Sequence, residues 1–138
     1  MIEVALITYP ALPDLSTSDQ LLLAPLAEYG IHPVALSWDN PDVDWQWFSA
    51  VILRSCWDYP QRAEEFRQWI IRLREMNIPL HNSPRTVLWN MQKHYLRELE
   101  QHGTHIIPTV WITSSSSSSL RELLETHGWE QAVLKPTI

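Results

Sequence analysis

The sequence predicts an α/β fold in which short buried strands alternate with helices around a parallel sheet. Residues 4–8 and 50–53 are brief apolar runs of the kind that buried parallel strands contain. The segment after the second run places Phe66, Trp69 and Ile70 at helical spacing on one face. Strands that alternate with amphipathic helices are typical of parallel sheets, because the helix carries the chain back between neighbouring strands.

Glycine and proline mark the element ends in the first half of the chain. Gly30 follows a predicted helix, where a left-handed residue commonly ends it, and Pro60 suits the first position of the next one. The predicted elements are, in order, strand 4–8, helix 18–29, strands 33–36 and 50–53, helix 60–76 and an extended segment at 78–80. This order predicts a Rossmann-like parallel sheet in a domain that covers residues 1–83.

A second segment begins at Ser83 and Pro84, which suit the N-cap and first position of a helix. We expect this helix to continue to Leu99 and to end before Gly103. The remaining predicted elements are strand 106–112, a serine-rich loop at 114–119, a helix that ends at Gly128 and strand 132–136. Residues 84–138 are therefore assigned to a second domain.

Composition and charge exclude several classes of protein. The 138 residues carry a net charge of −6, which argues against a protein that coats nucleic acid. The single cysteine, Cys56, excludes an internal disulfide and a cysteine-based zinc site. No apolar run approaches the roughly 18–20 residues of a membrane helix, and the N-terminus lacks the pattern of a secretory leader. We expect a cytoplasmic protein that binds neither nucleic acid nor membrane.

A cluster of polar and aromatic residues follows the strand at 50–53. Residues 54–59 read Arg-Ser-Cys-Trp-Asp-Tyr, and all six side chains can take part in hydrogen bonds. In open α/β sheets, ligands bind outside the carboxyl ends of the strands. The position and composition of this segment therefore predict a binding site rather than a simple turn.

Cys56 and the histidines offer other candidate sites. Cys56 could act as a nucleophile with His81 or His32 as its base, but a lone cysteine beside tryptophan is more often a small buried residue. The six histidines show no zinc-binding spacing. We therefore predict no catalytic residue and no metal ligand within this chain.

The chain has two lysines, and each allows two interpretations. Lys135 ends an apolar run and precedes a proline, so it either points from a strand end toward an anion or lies on the surface. Lys93 lies on a predicted helix, where it either contacts a ligand or, as is more common for a lone lysine, extends along apolar surface toward water.

Taken together, these motifs resemble the ATP-grasp superfamily. The order is a Rossmann-like domain, a helix with Asn90-x-x-Lys93, a strand with Pro-Thr-Val-Trp at 108–111, a helix, and Val-Leu-Lys-Pro at 133–136. Within that superfamily, the segments Thr8-Tyr9-Pro10, 53–59 and 108–111 are similar to glutathione synthetase-like ligases and to the cyclo-ligase that closes O-ureido-serine into cycloserine. The resemblance implies a pre-ATP-grasp domain followed by the first part of an ATP-grasp nucleotide-binding domain.

The resemblance also implies roles for particular residues. Lys93 and Lys135 would hold the phosphates of ATP, and Arg54 would pair with the carboxylate of a small amino-acid-like substrate. The substrate amine or hydroxyl would be oriented by three neighbours, Ser55, Asp58 and Tyr59. Such ligases activate a carboxylate as an acyl phosphate with the help of Mg²⁺, whose ligands we expect outside this chain.

The chain departs from the family pattern after Lys135. ATP-grasp enzymes continue into a glycine-rich loop and a second half with the magnesium ligands, so this chain alone is expected to be inactive. Apolar surface left exposed on residues 84–138 would favour a homodimer or aggregation. The alternative is a free-standing Rossmann-like binding or interaction module that uses residues 54–59 without ATP chemistry.

Overall fold

A computed structural model describes residues 2–138 and contains a four-stranded parallel sheet. The strands are β1 (Ile2–Thr8), β2 (Ile31–Ser37), β3 (Ala50–Leu53) and β4 (Leu80–His81). Their order in the sheet is β2-β1-β3-β4, and all three pairings are parallel. The predicted α/β fold with a parallel sheet is therefore confirmed, with β1 and β2 somewhat longer than the apolar runs suggested.

Six α-helices accompany the sheet within residues 2–138. They are α1 (Thr17–Gln20), α2 (Leu23–Glu28), α3 (Ala63–Glu75), α4 (Pro84–Asn90), α5 (Tyr95–Gln101) and α6 (Leu120–His127). Tyr59–Gln61 forms a separate 3-10 turn, so α3 begins later than the predicted residue 60. None of the described helices is long and apolar enough to cross a membrane.

Two predicted helices are each divided in the structure. The predicted helix 18–29 is α1 plus α2, because Pro25 inside one continuous helix would remove a hydrogen bond and collide with the preceding turn. Restarting at Leu23 places Pro25 in a first turn, where its missing N–H has no cost. The predicted helix from Ser83 to Leu99 is likewise α4 plus α5, with a turn at residues 91–94.

The predicted strands 106–112 and 132–136 are wrong. Neither segment forms a strand within the described residues. Ile107, Val133 and Leu134 are 84%, 79% and 74% exposed. An apolar run becomes a strand only when a neighbouring strand supplies hydrogen bonds.

Side chains of β1 alternate between two cores, one on each face of the sheet. Val4 and Leu6 pack with Leu15 and with residues of α2, including Leu23 and Leu26. Ala5 and Ile7 face the opposite core. That core also contains α3 side chains and several aromatic rings, namely Trp38, Trp45, Phe66, Trp69, Ile70 and Leu73. Helices thus cover both faces of the sheet, as in doubly wound folds.

The chain divides into two compact units. One comprises residues up to Met91 together with Ile138, and the other comprises Gln92–Thr137. Helix α4 belongs to the first unit, since Val87 and Met91 join the core that α3 covers. The predicted domain boundary at residue 83 lies one helix earlier than this division, and it stays a prediction.

Candidate functional site

The carboxyl ends of β1 and β3 lie side by side in the middle of the sheet. The chain passes from β1 to β2 on one side and reaches β3 on the other, so the strand order reverses between β1 and β3. In doubly wound sheets the crevice at this reversal is the usual ligand site. Residues 54–59 leave β3 at that point, beside Tyr9, which leaves β1.

Backbone hydrogen bonds hold the segment after β3 against the end of β1. The amides of Arg54 and Ser55 both donate to the carbonyl of Ile7, each at 3.0 Å. The thiol of Cys56 lies 3.7 Å from the same oxygen. Burial raises the pKa of Cys56 to about 12, so its thiolate is disfavoured at neutral pH. The prediction that Cys56 is a small buried residue is confirmed.

Asp19 on α1 is the centre of the polar contacts beside Arg54. Its side chain is almost completely buried, at 5% exposure for the residue. One carboxylate oxygen accepts hydrogen bonds from Arg54 Nε at 2.8 Å and Nη2 at 2.5 Å. The other oxygen accepts from the hydroxyls of Ser16, at 2.8 Å, and Ser55. Four donors therefore surround one carboxylate, and none of the sequence motifs identified it as a site residue.

The charge of Asp19 is maintained by these donors. Burial opposes the charged form, but the hydrogen bonds from Ser55, Arg54 and Ser16 outweigh burial and hold the pKa of Asp19 below its usual range. Asp19 is therefore a carboxylate at neutral pH. Its negative charge fixes the position of the Arg54 guanidinium.

The sequence contains a local pattern at Asp19, but it does not reveal that Asp19 pairs with Arg54. Ser16 and Asp19 form a capping pattern, in which the Asp19 amide donates to Ser16 Oγ at 3.1 Å. Such a pattern predicts the start of a helix. The pairing with Arg54 spans 35 positions of sequence and depends on how α1 meets the end of β3.

Arg54 and Ser55 occupy different environments. The Arg54 side chain is 38% exposed, and two of its five N–H donors are directed at Asp19. Ser55 is buried at 1% exposure, and its hydroxyl donates to Asp19. Arg54 can therefore meet a ligand directly, whereas Ser55 acts in this arrangement through Asp19.

Asp58 and Tyr59 belong to a neighbouring cluster around Arg62. Asp58 accepts a hydrogen bond from the Trp38 indole at 2.9 Å, and its other oxygen lies 3.7 Å from Arg62. The guanidinium of Arg62 lies 4.6 Å from the centre of the Trp38 ring. The Tyr59 ring packs on Phe66, with centroids 5.2 Å apart. Both predicted substrate residues thus have partners inside the protein.

Arg62 binds two further carboxylates. It lies 2.6 Å from Glu65 and 2.5 Å from Asp39, and these pairings raise its pKa. For Asp39, burial opposes the charged form, but hydrogen bonds from Arg62 and Ser37 hold its pKa below the usual range. The cluster joins the residues that follow β2 to the start of α3.

The two lysines lie in the second unit. The backbone amide of Lys93 donates to the carbonyl of Thr137 at 2.7 Å, which brings the segments that carry Lys93 and Lys135 together. Lys93 is half-buried and Lys135 is exposed. Two cations on adjoining segments could neutralise a polyphosphate, and this role of the lysines stays a prediction. Within residues 2–138, no group of three His, Cys, Asp or Glu side chains could hold a metal ion.

Comparison with known proteins identifies the first unit. The sequence profile of the family described as "D-cycloserine synthetase DcsG, N-terminal domain" matches residues 4–82, more than half of the chain. The chain belongs to this DcsG N-terminal domain family. The match includes Asp19, Arg54 and residues 55–59, whereas Lys93 and Lys135 lie beyond it.

Two relatives extend the likeness beyond residue 82. The chain is 31% identical over 119 residues to the "Cycloserine biosynthesis protein DcsG" of Streptomyces lavendulae, an alignment that covers 84% of this chain and 40% of the relative. The "Crystal structure of D-cycloserine synthetase DcsG" matches 91% of this chain and 43% of that chain, with a TM-score of 0.78 and 28% identity. The chain therefore spans less than half the length of the DcsG proteins that it matches.

The resemblance predicted from the sequence is confirmed in part. The chain is homologous to the N-terminal domain of DcsG, a biosynthetic enzyme, and shares its mixed α/β fold. Membership of the ATP-grasp superfamily, and the roles of ATP and Mg²⁺, stay predictions.

Proposed function

We propose that this chain forms the N-terminal part of an ATP-dependent, ADP-forming carboxylate–amine ligase of the ATP-grasp type. The observation that carries the proposal is Arg54, held by Asp19 at the β1/β3 crevice within the segment that matches the DcsG family. A half-exposed guanidinium at that position suits a carboxylate, because the two groups can form paired hydrogen bonds. The substrate class that fits is a small amino acid derivative such as O-ureido-serine.

The proposed reaction uses the carboxylate in two steps. A carboxylate oxygen attacks the terminal phosphorus of ATP, which forms an acyl phosphate and releases ADP. A nitrogen of the substrate then attacks the acyl carbon. The C–N bond forms, the bond from the acyl carbon to the phosphate oxygen breaks, and the nitrogen loses a proton to solvent as phosphate leaves. Arg54 would orient the carboxylate, and Asp58 and Tyr59 would contact the amine or hydroxyl after changing their present partners.

ATP would be bound through the second unit. Lys93 and Lys135 would neutralise its phosphates, since their chain segments adjoin. Mg²⁺ does not fit the described residues, because they offer no suitable group of ligands. Its ligands would belong to polypeptide outside this chain, and the chain alone would not complete the reaction.

The test is ADP formation by the polypeptide isolated from its native cell, with ATP and O-ureido-serine as substrates. Under this proposal Lys93→Met and Lys135→Met each reduce turnover by about 100-fold or more. Arg121→Met removes an exposed cation of the same unit and is the matched control, with turnover within twofold of the parent.

Two results would contradict the proposal. Unchanged turnover in both lysine variants would remove the lysines from the nucleotide site. If the isolated polypeptide bound O-ureido-serine but formed no ADP, the free-standing binding module would be the better description.

A further inference from the structure

The contact between Asp19 and Arg54 uses a single edge of the guanidinium. Nε and Nη2 both donate to one oxygen of Asp19, which is the side-on arrangement of a planar guanidinium. The remaining parallel pair of N–H groups, one from each Nη nitrogen, points off the end of the side chain. This second edge has the spacing that a carboxylate accepts in a paired contact.

The two members of the pair differ sharply in exposure. The Asp19 side chain is 7% exposed, whereas the Arg54 side chain is 38% exposed. Because part of the guanidinium stays in contact with solvent, its N–H groups that do not face Asp19 are accessible to a ligand. The carboxylate is the anchored partner, since Ser16 and Ser55 fix its other oxygen.

Because Asp19 holds one edge of the Arg54 guanidinium, the direction of the second edge is fixed as well. The guanidinium is rigid and planar, and an unanchored arginine must lose side-chain freedom when it binds. Because Asp19 has already restricted that freedom, a ligand carboxylate can bind without the full ordering cost.

We infer that Asp19 is a positioning residue, which holds Arg54 side-on so that the end-on edge of the guanidinium receives the carboxylate of an amino-acid-like substrate. The inference deepens the proposed function and rests on it for the substrate class. Asp19 itself makes no contact with the substrate. Ser16 and Ser55 act one step further away, by holding the Asp19 carboxylate.

The test is an NMR titration of the 138-residue chain with O-ureido-serine, observed at the Arg54 Nε–H group and at backbone amides. In the parent protein, the ligand is expected to shift the resonances of Arg54. The matched ligand is the α-carboxamide of the same compound, which lacks the carboxylate and should bind at least about tenfold more weakly.

Asp19→Asn is the decisive variant. It keeps the size of the side chain but loses the charge, so we expect faster hydrogen exchange at Arg54 Nε–H and about tenfold weaker binding of O-ureido-serine. The preference for the carboxylate over the carboxamide should fall as well. Glu64→Gln, which removes an exposed ion pair with Arg67 on α3, is the control and should leave binding unchanged.

A merely structural role for Asp19 predicts a different pattern. Asp19→Asn would then lower the thermal midpoint while the dissociation constant of the folded protein stayed that of the parent, and this result would overturn the inference. If Asp19→Asn does not fold, Ser16→Ala provides the same comparison with a milder change, because it removes one donor from the carboxylate.

Measurements of ligand binding and of turnover distinguish this inference from the proposed function. Loss of ADP formation with retained, Asp19-dependent binding would defeat the ligase proposal alone. The absence of any Arg54 shift in the parent chain would overturn the positioning role, whatever the ligase assay shows.

Discussion

The two units of the molecule differ in how their candidate ligand residues are supported. In the first unit, Arg54 follows a strand of a covered sheet and is tied to the buried Asp19. In the second unit, the described residues form two helices and no strand, and apolar side chains such as Val133 and Leu134 are largely exposed. Arg54 is therefore held in place by a packed framework, whereas the segments that carry Lys93 and Lys135 lack a comparable framework.

The largest expected effect compares two leucines. Leu73 on α3 is completely buried in the first unit, whereas Leu124 on α6 is only half-buried in the second. Leu73→Ala should lower the free energy of unfolding by about 2–5 kcal/mol, since it leaves a cavity in a packed core. Leu124→Ala should cost less than about 1 kcal/mol. Urea denaturation followed by far-ultraviolet circular dichroism measures the free energy of unfolding of both variants. Equal losses would contradict the expected difference between the two units.

A smaller difference is expected between two polar anchors. Asp19→Ala leaves Arg54 and two serine hydroxyls without their shared acceptor, so it should cost about 3 kcal/mol. Ser119 caps α6 in the second unit through a reciprocal pair with Glu122, and Ser119→Ala should cost about 1 kcal/mol. The same denaturation experiment compares the two losses in unfolding free energy. A larger loss for Ser119→Ala than for Asp19→Ala would contradict this prediction.

The smallest effect is the dependence of stability on pH. Because the pKa of Asp19 is lowered on folding, its contribution to stability is present above the unfolded pKa of about 3.9 and is lost as pH falls through the folded value. Unfolding free energies between pH 6 and pH 3 should therefore fall less steeply in Asp19→Asn than in the parent.

Glu122 in the second unit is the control for that measurement. A backbone hydrogen bond from Ser119 lowers its pKa too, but the side chain is exposed and screened by solvent. Glu122→Gln should flatten the pH profile less than Asp19→Asn does. The reverse order would show that the acid sensitivity does not originate at the candidate site.

Sequence patterns were sufficient where local chemistry decides structure. Residues 4–8 of β1 are all buried, and residues 50–53 of β3 are buried or half-buried. The segment after β3 stands out because ligands bind at strand ends in this fold class. Ser119 and Glu122 have the spacing of a capping box, which is a local pattern, and the structure forms that box at the start of α6.

The remaining features depend on contacts that no local pattern contains. The apolar residues at 106–112 and 132–136 indicated strands, but a strand also requires a neighbour, and none pairs with them within residues 2–138. Asp19 was missed because its partner Arg54 is remote in sequence. Predicted site residues also gained internal partners that sequence could not reveal, such as Asp58 with Trp38.

The most direct test of the account is a backbone-amide shift map of the 138-residue chain, recorded separately with O-ureido-serine and with ATP. We predict that O-ureido-serine shifts amides at Tyr9 and residues 54–58, and that ATP shifts those near Lys93 and Lys135. Shifts from O-ureido-serine that avoid the β1/β3 crevice would contradict the proposal that the first unit binds the substrate through Arg54.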